Sequence, residues 1–176
     1  MEALFNWKII LLKIILTLSF VAWVFSMSTS EDSMGILKEV SQLGWFGSMV
    51  LLFILFVSVA FYCKDLQSVL ESIDHKYRQA QPKSVWLMFL IPYNFIEDFF
   101  IVRNISRSIE FQAEHLDALR RFNSYGVYSG IGWCCTQILS FLPGYWGLTF
   151  SLLTIFLWVY HWRLIKEIKS VLKKSR

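Results

Sequence analysis

Charged residues are scarce in this chain. Asp, Glu, Lys and Arg make up only 17% of its 176 residues, whereas about 25% is usual in soluble domains. Apolar residues make up 56% of the chain. This balance excludes an ordinary soluble domain and predicts an all-α integral membrane protein, with residues 1–176 forming a single membrane domain.

Catalytic and metal-binding motifs are also missing. No H-E-x-x-H, Walker, G-x-S-x-G or G-x-G-x-x-G pattern occurs. The few histidines and cysteines lack the spacing of a zinc site or a disulfide framework; they are His75, His115, His161, Cys63, Cys134 and Cys135. We therefore expect no enzyme, no metal and no cofactor.

The formal net charge of +4 raises the question of nucleic-acid binding. The basic residues, however, flank apolar segments, where membrane orientation and anionic headgroups would place them. No basic stripe with interleaved aromatic residues lies clear of these segments. The sequence thus predicts the lipid bilayer as the partner and excludes nucleic acid.

Four apolar runs approach the roughly 20 residues that a helix needs to cross a bilayer. The first has the length of a signal peptide, but Lys13 interrupts it and the following SMSTSED gives a weak cleavage pattern. We predict a retained first helix. The four predicted spanning helices cover residues 7–26, 45–63, 126–142 and 145–163, the last two joined at Pro143-Gly144.

A fifth apolar run, 85–102, decides the topology. If it crossed the membrane, eleven of the 17 Lys and Arg residues would lie outside; if it entered and left on one side, only Lys38 would. The positive-inside rule favours the second arrangement, and Pro92 breaks a helix near the middle of the run. The sequence predicts a re-entrant or interfacial helical segment, with both termini cytoplasmic.

The two loops beside this segment have helical periodicity. In the first, apolar residues recur at helical spacing and predict that the second helix continues into the cytoplasm until Pro82. In the second, a similar pattern predicts another amphipathic helix before Gly126. These are cytoplasmic amphipathic extensions of the membrane helices.

Polar residues on the segment after Pro92 form the main candidate site. On a helix they share one stripe, either lining a cavity or ion site or lying among the lipid headgroups. Local pairing with Arg103, Arg107 or Lys83 is a third interpretation. Adjacent carboxylates point in different directions on a helix, so a catalytic dyad is not expected. The stripe consists of Asn94, Glu97, Asp98, Asn104 and Ser108.

Small residues line one face of the predicted third spanning helix. Gly126 and Gly130 have the small-xxx-small spacing that lets helices approach closely, and Cys134 lies one turn further on. This face predicts helix packing, within the chain or between two copies.

Several motifs between residues 83 and 166 resemble those of a known group. They are a Trp before an apolar run (Trp86), the I-P-x-x-N pattern of 91–94, and the spaced aromatic residues Trp158, Tyr160 and Trp162. The chain resembles small bacterial multi-pass membrane proteins that carry a domain of unknown function. Glu97 and Asp98 stand where that pattern has apolar or aromatic residues. The resemblance implies a bacterial inner (plasma) membrane location and carries no catalytic role.

Two functions follow from these features. The first is a non-enzymatic structural or accessory protein of the inner membrane, with a membrane-protein partner or a second copy as its binding partner. The alternative is a small oligomeric transporter or channel component whose polar vestibule is formed by the segment 94–108.

Overall fold

The computed structural model describes residues 7–28 and 43–175, which contain helices and no strand. Lys38 and its loop lie outside the described residues. Four short 3₁₀ helices span His75–Tyr77, Pro82–Phe89, Asp117–Leu119 and Asn123–Gly126. The α-helices are α1 (Trp7–Ser28), α2 (Gly44–Ser72), α3 (Asn94–Ala113), α4 (Val127–Leu139) and α5 (Gly144–Lys174).

Three of these helices are long and apolar enough to cross a membrane. They are α1 over Trp7–Ser26, α2 and α5, with mean hydropathies of 2.3, 2.4 and 1.4 in their most apolar windows. The all-helical class is therefore confirmed, and the first, second and last predicted spans coincide with these helices.

The third predicted span, 126–142, is not confirmed. Its helix α4 has only 13 residues, which is about 20 Å of helix against a hydrocarbon thickness of roughly 30 Å. The backbone takes positive φ angles of 58°, 47° and 85° at Ser124, Tyr125 and Gly126. These angles keep α4 from extending back beyond Val127, so the helix stays short although the composition of the run suits a span.

Helices α4 and α5 form an antiparallel hairpin. Gly126, at the start of α4, lies against His161 and Leu164, whereas Gly132 further along lies against Leu157. The residues between Leu139 and Gly144 form the turn. The chain thus returns along α5 towards the end from which α4 began.

The segment 85–102 is not one continuous helix. A 3₁₀ limb ends at Phe89, the chain turns at a cis Ile91–Pro92 peptide, and α3 runs back beside the first limb. The Asp74 N–H donates to Gln112 Oε1 at 3.0 Å and the Gln79 N–H to Ser108 Oγ at 2.8 Å. These pairs show that the segment enters and leaves at the same end of the bundle.

The predicted extension of α2 to Pro82 is wrong in length. The helix ends at Ser72, because Ile73 has extended backbone angles and Arg78 donates to the carbonyls of Ile73 (2.8 Å) and Glu71 (2.9 Å). The apolar spacing nevertheless identified core residues. Those that the structure buries are Leu66, Val69, Leu70 and Ile73.

The second predicted amphipathic helix is likewise interrupted. α3 ends at Ala113, and a 3₁₀ turn at Asp117–Leu119 follows. Leu119 is fully buried and Phe122 nearly so. These residues cover the core from an irregular segment, which a 3.6-residue periodicity does not describe.

Buried residues concentrate at one end of the long helices. Residues 44–61 of α2 include no buried residue, and 144–160 of α5 include only Gly147 and Ser151; we call these two stretches the apolar half. Residues 62–72 and 161–172, the core end, are buried at helical spacing against each other and against α3. The candidate site lies where the two regions meet.

Candidate functional site

The polar stripe begins at the first residue of α3, directly after the Pro92 turn. Asn94, Glu97 and Asp98 occupy positions i, i+3 and i+4, so they share one helical face. All three are buried. The headgroup-exposed interpretation of the two carboxylates therefore does not describe this structure, in which the face points into the bundle.

Glu97 has a charged partner that comes from α1. Lys13 Nζ lies 2.6 Å from Glu97 Oε2, and the two side chains are only 13% and 6% exposed. The two atoms form an ion pair, but their geometry does not meet the angles of a hydrogen bond. Lys13 Nζ also lies 4.4 Å from the centre of the Phe100 ring. Among the described helices α1 packs on α3, and this pair joins α1 to the bundle together with the Phe20 ring, which lies against Phe95 and Phe141.

Local pairing with Arg103, Arg107 or Lys83 is not what the structure contains, since all three side chains are exposed. The sequence did carry a signal for the true partner. Lys13 is a basic residue inside an otherwise apolar spanning helix, where an unpaired charge is costly and faces the protein interior.

Among the described residues, none with a charged side chain lies within hydrogen-bonding distance of Asp98. It lies near enough to the Tyr62 hydroxyl and to the thiols of Cys63 and Cys134 to interact with each electrostatically. Asp98 Oδ1, Asn94 Oδ1 and the Tyr62 hydroxyl are buried without a hydrogen-bond partner within the described part of the chain. A buried polar atom of this kind is costly unless a proton, water or ion satisfies it.

The second half of the stripe consists of Asn104 and Ser108, and Ser108 holds two segments of the chain together. Ser108 is fully buried; its Oγ accepts from the Gln79 N–H and donates to the Asn104 carbonyl at 2.7 Å. Asn104 itself is half-buried. Ser108 thus joins the two limbs of the hairpin that runs from Asp74 through the Pro92 turn to Gln112, which we call the 74–112 hairpin. It lies apart from the group at Asn94, Glu97 and Asp98.

The small-residue face lies between α3 and α5 of the same chain. A Cβ on Gly130 would overlap the Val102 side chain and lie 3.0 Å from His161 Cε1. Cys134 is buried one turn further on. His161 Nδ1 lies 2.9 Å from Ser129 Oγ. Close approach at Gly130 therefore fixes the distance between α4, α3 and α5.

Asp65 is a polar site that sequence reasoning missed. Its Oδ2 accepts from Trp162 Nε1 and its Oδ1 contacts Lys169 Nζ, both at 2.7 Å. The pair joins α2 to α5 at the core end. An acidic residue two positions beyond the apolar run 45–63, in a chain that also has an interfacial Trp and a Lys on the last helix, is the signal that could have indicated it.

The described residues contain ion pairs with little exposure and buried oxygens without a hydrogen-bond partner. Within residues 7–28 and 43–175, no three His, Cys, Asp or Glu side chains are grouped to bind a metal ion. The class that the fold defines is an all-helical protein with three potential membrane-spanning helices. Comparison with protein-family models, curated proteins and solved structures found no match.

Proposed function

We propose that this chain is a multi-pass protein of the bacterial inner membrane that acts non-enzymatically, as a structural or accessory partner within the bilayer. The observation that carries the proposal is that residues of the polar stripe make their contacts within the chain itself. Glu97 pairs with Lys13 and Ser108 bonds Gln79 within the chain, so both side chains join segments of a single copy to each other. The apolar half presents its surface to lipid or to another membrane protein.

The proposed topology has both termini in the cytoplasm and the 74–112 hairpin re-entering the bilayer. The turn of this hairpin supports it, because Leu90 and Ile91 are 55% and 64% exposed and Pro92 is exposed as well. A turn in water would normally carry polar residues. An apolar, exposed turn suits a tip that inserts only to the interfacial depth of the bilayer, where headgroups and water can still satisfy its backbone.

Cysteine accessibility tests this topology. In a background lacking the three native cysteines, single cysteines at Ser84 and Arg107 are expected to react with an impermeant reagent from the cytoplasmic side only. A cysteine at position 98 reports how deeply α3 is buried, and Asp98→Cys should be unreactive from either side. A cysteine at position 124 reports on which side of the membrane the loop between α3 and α4 lies. Labelling of positions 84 and 107 from opposite sides would refute the re-entrant topology.

The accessory role is tested by isolating the tagged chain from its native membranes in polymer nanodiscs after crosslinking. A stoichiometric complex with another membrane protein, or a defined homo-oligomer, is expected. A photo-crosslinker at Phe53, in the apolar half, should report the contact, and one at the buried Ile168 should give none. A lone monomer that turns over a lipid or solute would overturn the proposal.

A transporter component is the second candidate, favoured by the unpartnered oxygens at Asn94 and Asp98 and the unpartnered hydroxyl of Tyr62. These atoms suit a proton or a small cation, and five helices of this size require an oligomer to enclose a path. Proton or Na⁺ flux into proteoliposomes should then fall in Glu97→Gln/Asp98→Asn. The exposed Glu110→Gln on the same helix is the matched control. Absence of wild-type flux, or equal flux in all variants, removes this candidate.

A further inference from the structure

A shallow apolar groove lies on the outside of the bundle, between α2 and the 3₁₀ limb of the hairpin. Its lining residues are Phe56, Val57, Ala60, Trp86 and Phe89. The Phe56 and Phe89 rings lie 5.7 Å apart, and Trp86 stacks on Phe89 at 5.8 Å. The floor and walls of the groove are therefore hydrocarbon and aromatic surface.

The α2 wall changes from apolar to basic along its length. Phe56, Val57, Ala60 and Lys64 fall within an arc of about 100° at 100° per residue, so they belong to one face. Lys64 is exposed and follows Ala60 by one turn. From Phe56 to Lys64 the wall is about 12 Å long.

The 3₁₀ wall has the same polarity. Lys83, Trp86 and Phe89 recur every three residues, which places them on one face of a helix with three residues per turn. Lys83 is exposed. At roughly 2.0 Å per residue this wall also measures about 12 Å. Both walls thus run from aromatic residues at one end to a lysine at the other.

A hydrogen bond fixes the junction between the apolar and basic ends. Trp86 Nε1 donates to Gln67 Oε1 at 2.7 Å, and Gln67 Nε2 donates to Glu71 Oε1 at 2.8 Å. An indole with its ring on hydrocarbon and its N–H on a polar group is typical of the membrane interface. The Glu71 carboxylate is engaged with Gln67, and the two lysines leave this end with net positive charge.

We propose that this groove binds one anionic phospholipid of the cytoplasmic leaflet. Its acyl chain lies along Phe56, Ala60 and Phe89, and its phosphate lies at the end that carries Lys64 and Lys83. The two lysines and the interfacial Trp86 favour a lipid over a partner helix. A helix would need small residues for close approach, and its apolar surface would give the two lysines no anionic partner.

The test uses the full chain in nanodiscs that contain either phosphatidylglycerol or phosphatidylcholine, each with a photoreactive acyl chain. Crosslinks from phosphatidylglycerol should map to Ala60 and Phe89. Lys64→Gln/Lys83→Gln should lower retention of phosphatidylglycerol on dilution by roughly 10- to 30-fold, from the usual attraction of each juxtamembrane lysine to anionic lipid. Phosphatidylcholine retention should not change.

Matched variants separate the groove from general membrane attraction. Lys173→Gln/Lys174→Gln removes the same charge from the exposed end of α5 and should leave retention unchanged. Ala60→Trp fills the groove and should abolish the acyl crosslinks, whereas Ala22→Trp on the exposed face of α1 should not. Equal retention of the two lipids by the wild type, or no loss in the Lys64/Lys83 variant, overturns the proposal.

Discussion

The two regions of α2 and α5 use similar helices in opposite ways. In the apolar half, large side chains such as Trp45, Phe53 and Phe156 are 67–78% exposed; at the core end, Leu66, Leu70 and Ile168 are at most 1% exposed. In a bilayer an exposed apolar side chain loses nothing, because lipid replaces the protein contact. Fold stability therefore depends on the core end and on the few polar contacts that join the regions.

The sharpest test of this division is the Lys13–Glu97 pair, because it is the buried charged contact between α1 and α3. Removing one member leaves a buried charge, which typically costs 3–5 kcal/mol. We expect Glu97→Ala to lower the free energy of unfolding in nanodiscs by roughly that amount.

The exposed Glu110→Ala on the same helix is the control and should change little. The charge swap Lys13→Glu/Glu97→Lys should restore part of the stability. Unchanged stability in Glu97→Ala would show that α1 is not attached through this pair.

Gly130 tests the close approach of α4 to α3. In Gly130→Ala the new Cβ meets the Val102 side chain, and such overpacking costs about 1–3 kcal/mol. Gly132→Ala is a matched control, since its Cβ would lie at an ordinary 3.6 Å from Leu157. Val102→Ala should rescue Gly130→Ala; a failure of rescue would point to another cause.

Asp65 tests the junction of α2 and α5 within the core end. Asp65→Asn removes the charge that pairs with Lys169 but keeps an acceptor for Trp162, so a loss of about 1–1.5 kcal/mol is expected. The exposed Asp117–Arg120 pair provides the comparison: Asp117→Asn should cost less than about 0.5 kcal/mol. Equal effects of the two substitutions would contradict a special role for Asp65.

The smallest effect is expected in the apolar half. Phe53→Leu replaces one lipid-exposed apolar side chain with another and should change stability by less than about 0.5 kcal/mol. The comparison variant Leu70→Ala, at the core end of the same helix, should cost about 2–5 kcal/mol. A large effect of Phe53→Leu would show that another chain covers this surface and would support the accessory role.

Much of the fold was predictable because hydropathy depends on composition alone. It located α1, α2 and α5, whose apolar windows need no tertiary information. The span predicted at 126–142 is not confirmed, because α4 covers only 13 of its residues and positive φ angles at Ser124, Tyr125 and Gly126 keep the helix from beginning earlier. Hydropathy also missed the end of α2, where Arg78 binds the last carbonyls from a loop.

The candidate site was predictable only as a set of positions on α3. Helical spacing correctly grouped Asn94, Glu97 and Asp98, but periodicity within one helix cannot identify what faces it. Lys13 and Glu97 form an ion pair although 84 positions separate them in the chain. Such a pair depends on how α1 and α3 pack against each other, and the spacing of residues within either helix does not indicate this.

The position of Lys13 also bears on the order of biogenesis. α1 is synthesised some 80 residues before Glu97, so its lysine must enter or approach hydrocarbon while its counter-ion does not yet exist. A lysine at mid-membrane costs roughly 2.5–3.5 kcal/mol on insertion scales, which the high mean hydropathy of α1 offsets. We therefore expect α1 to stay beside the insertion machinery, or at the bilayer edge, until α3 emerges and Glu97 neutralises the charge of Lys13.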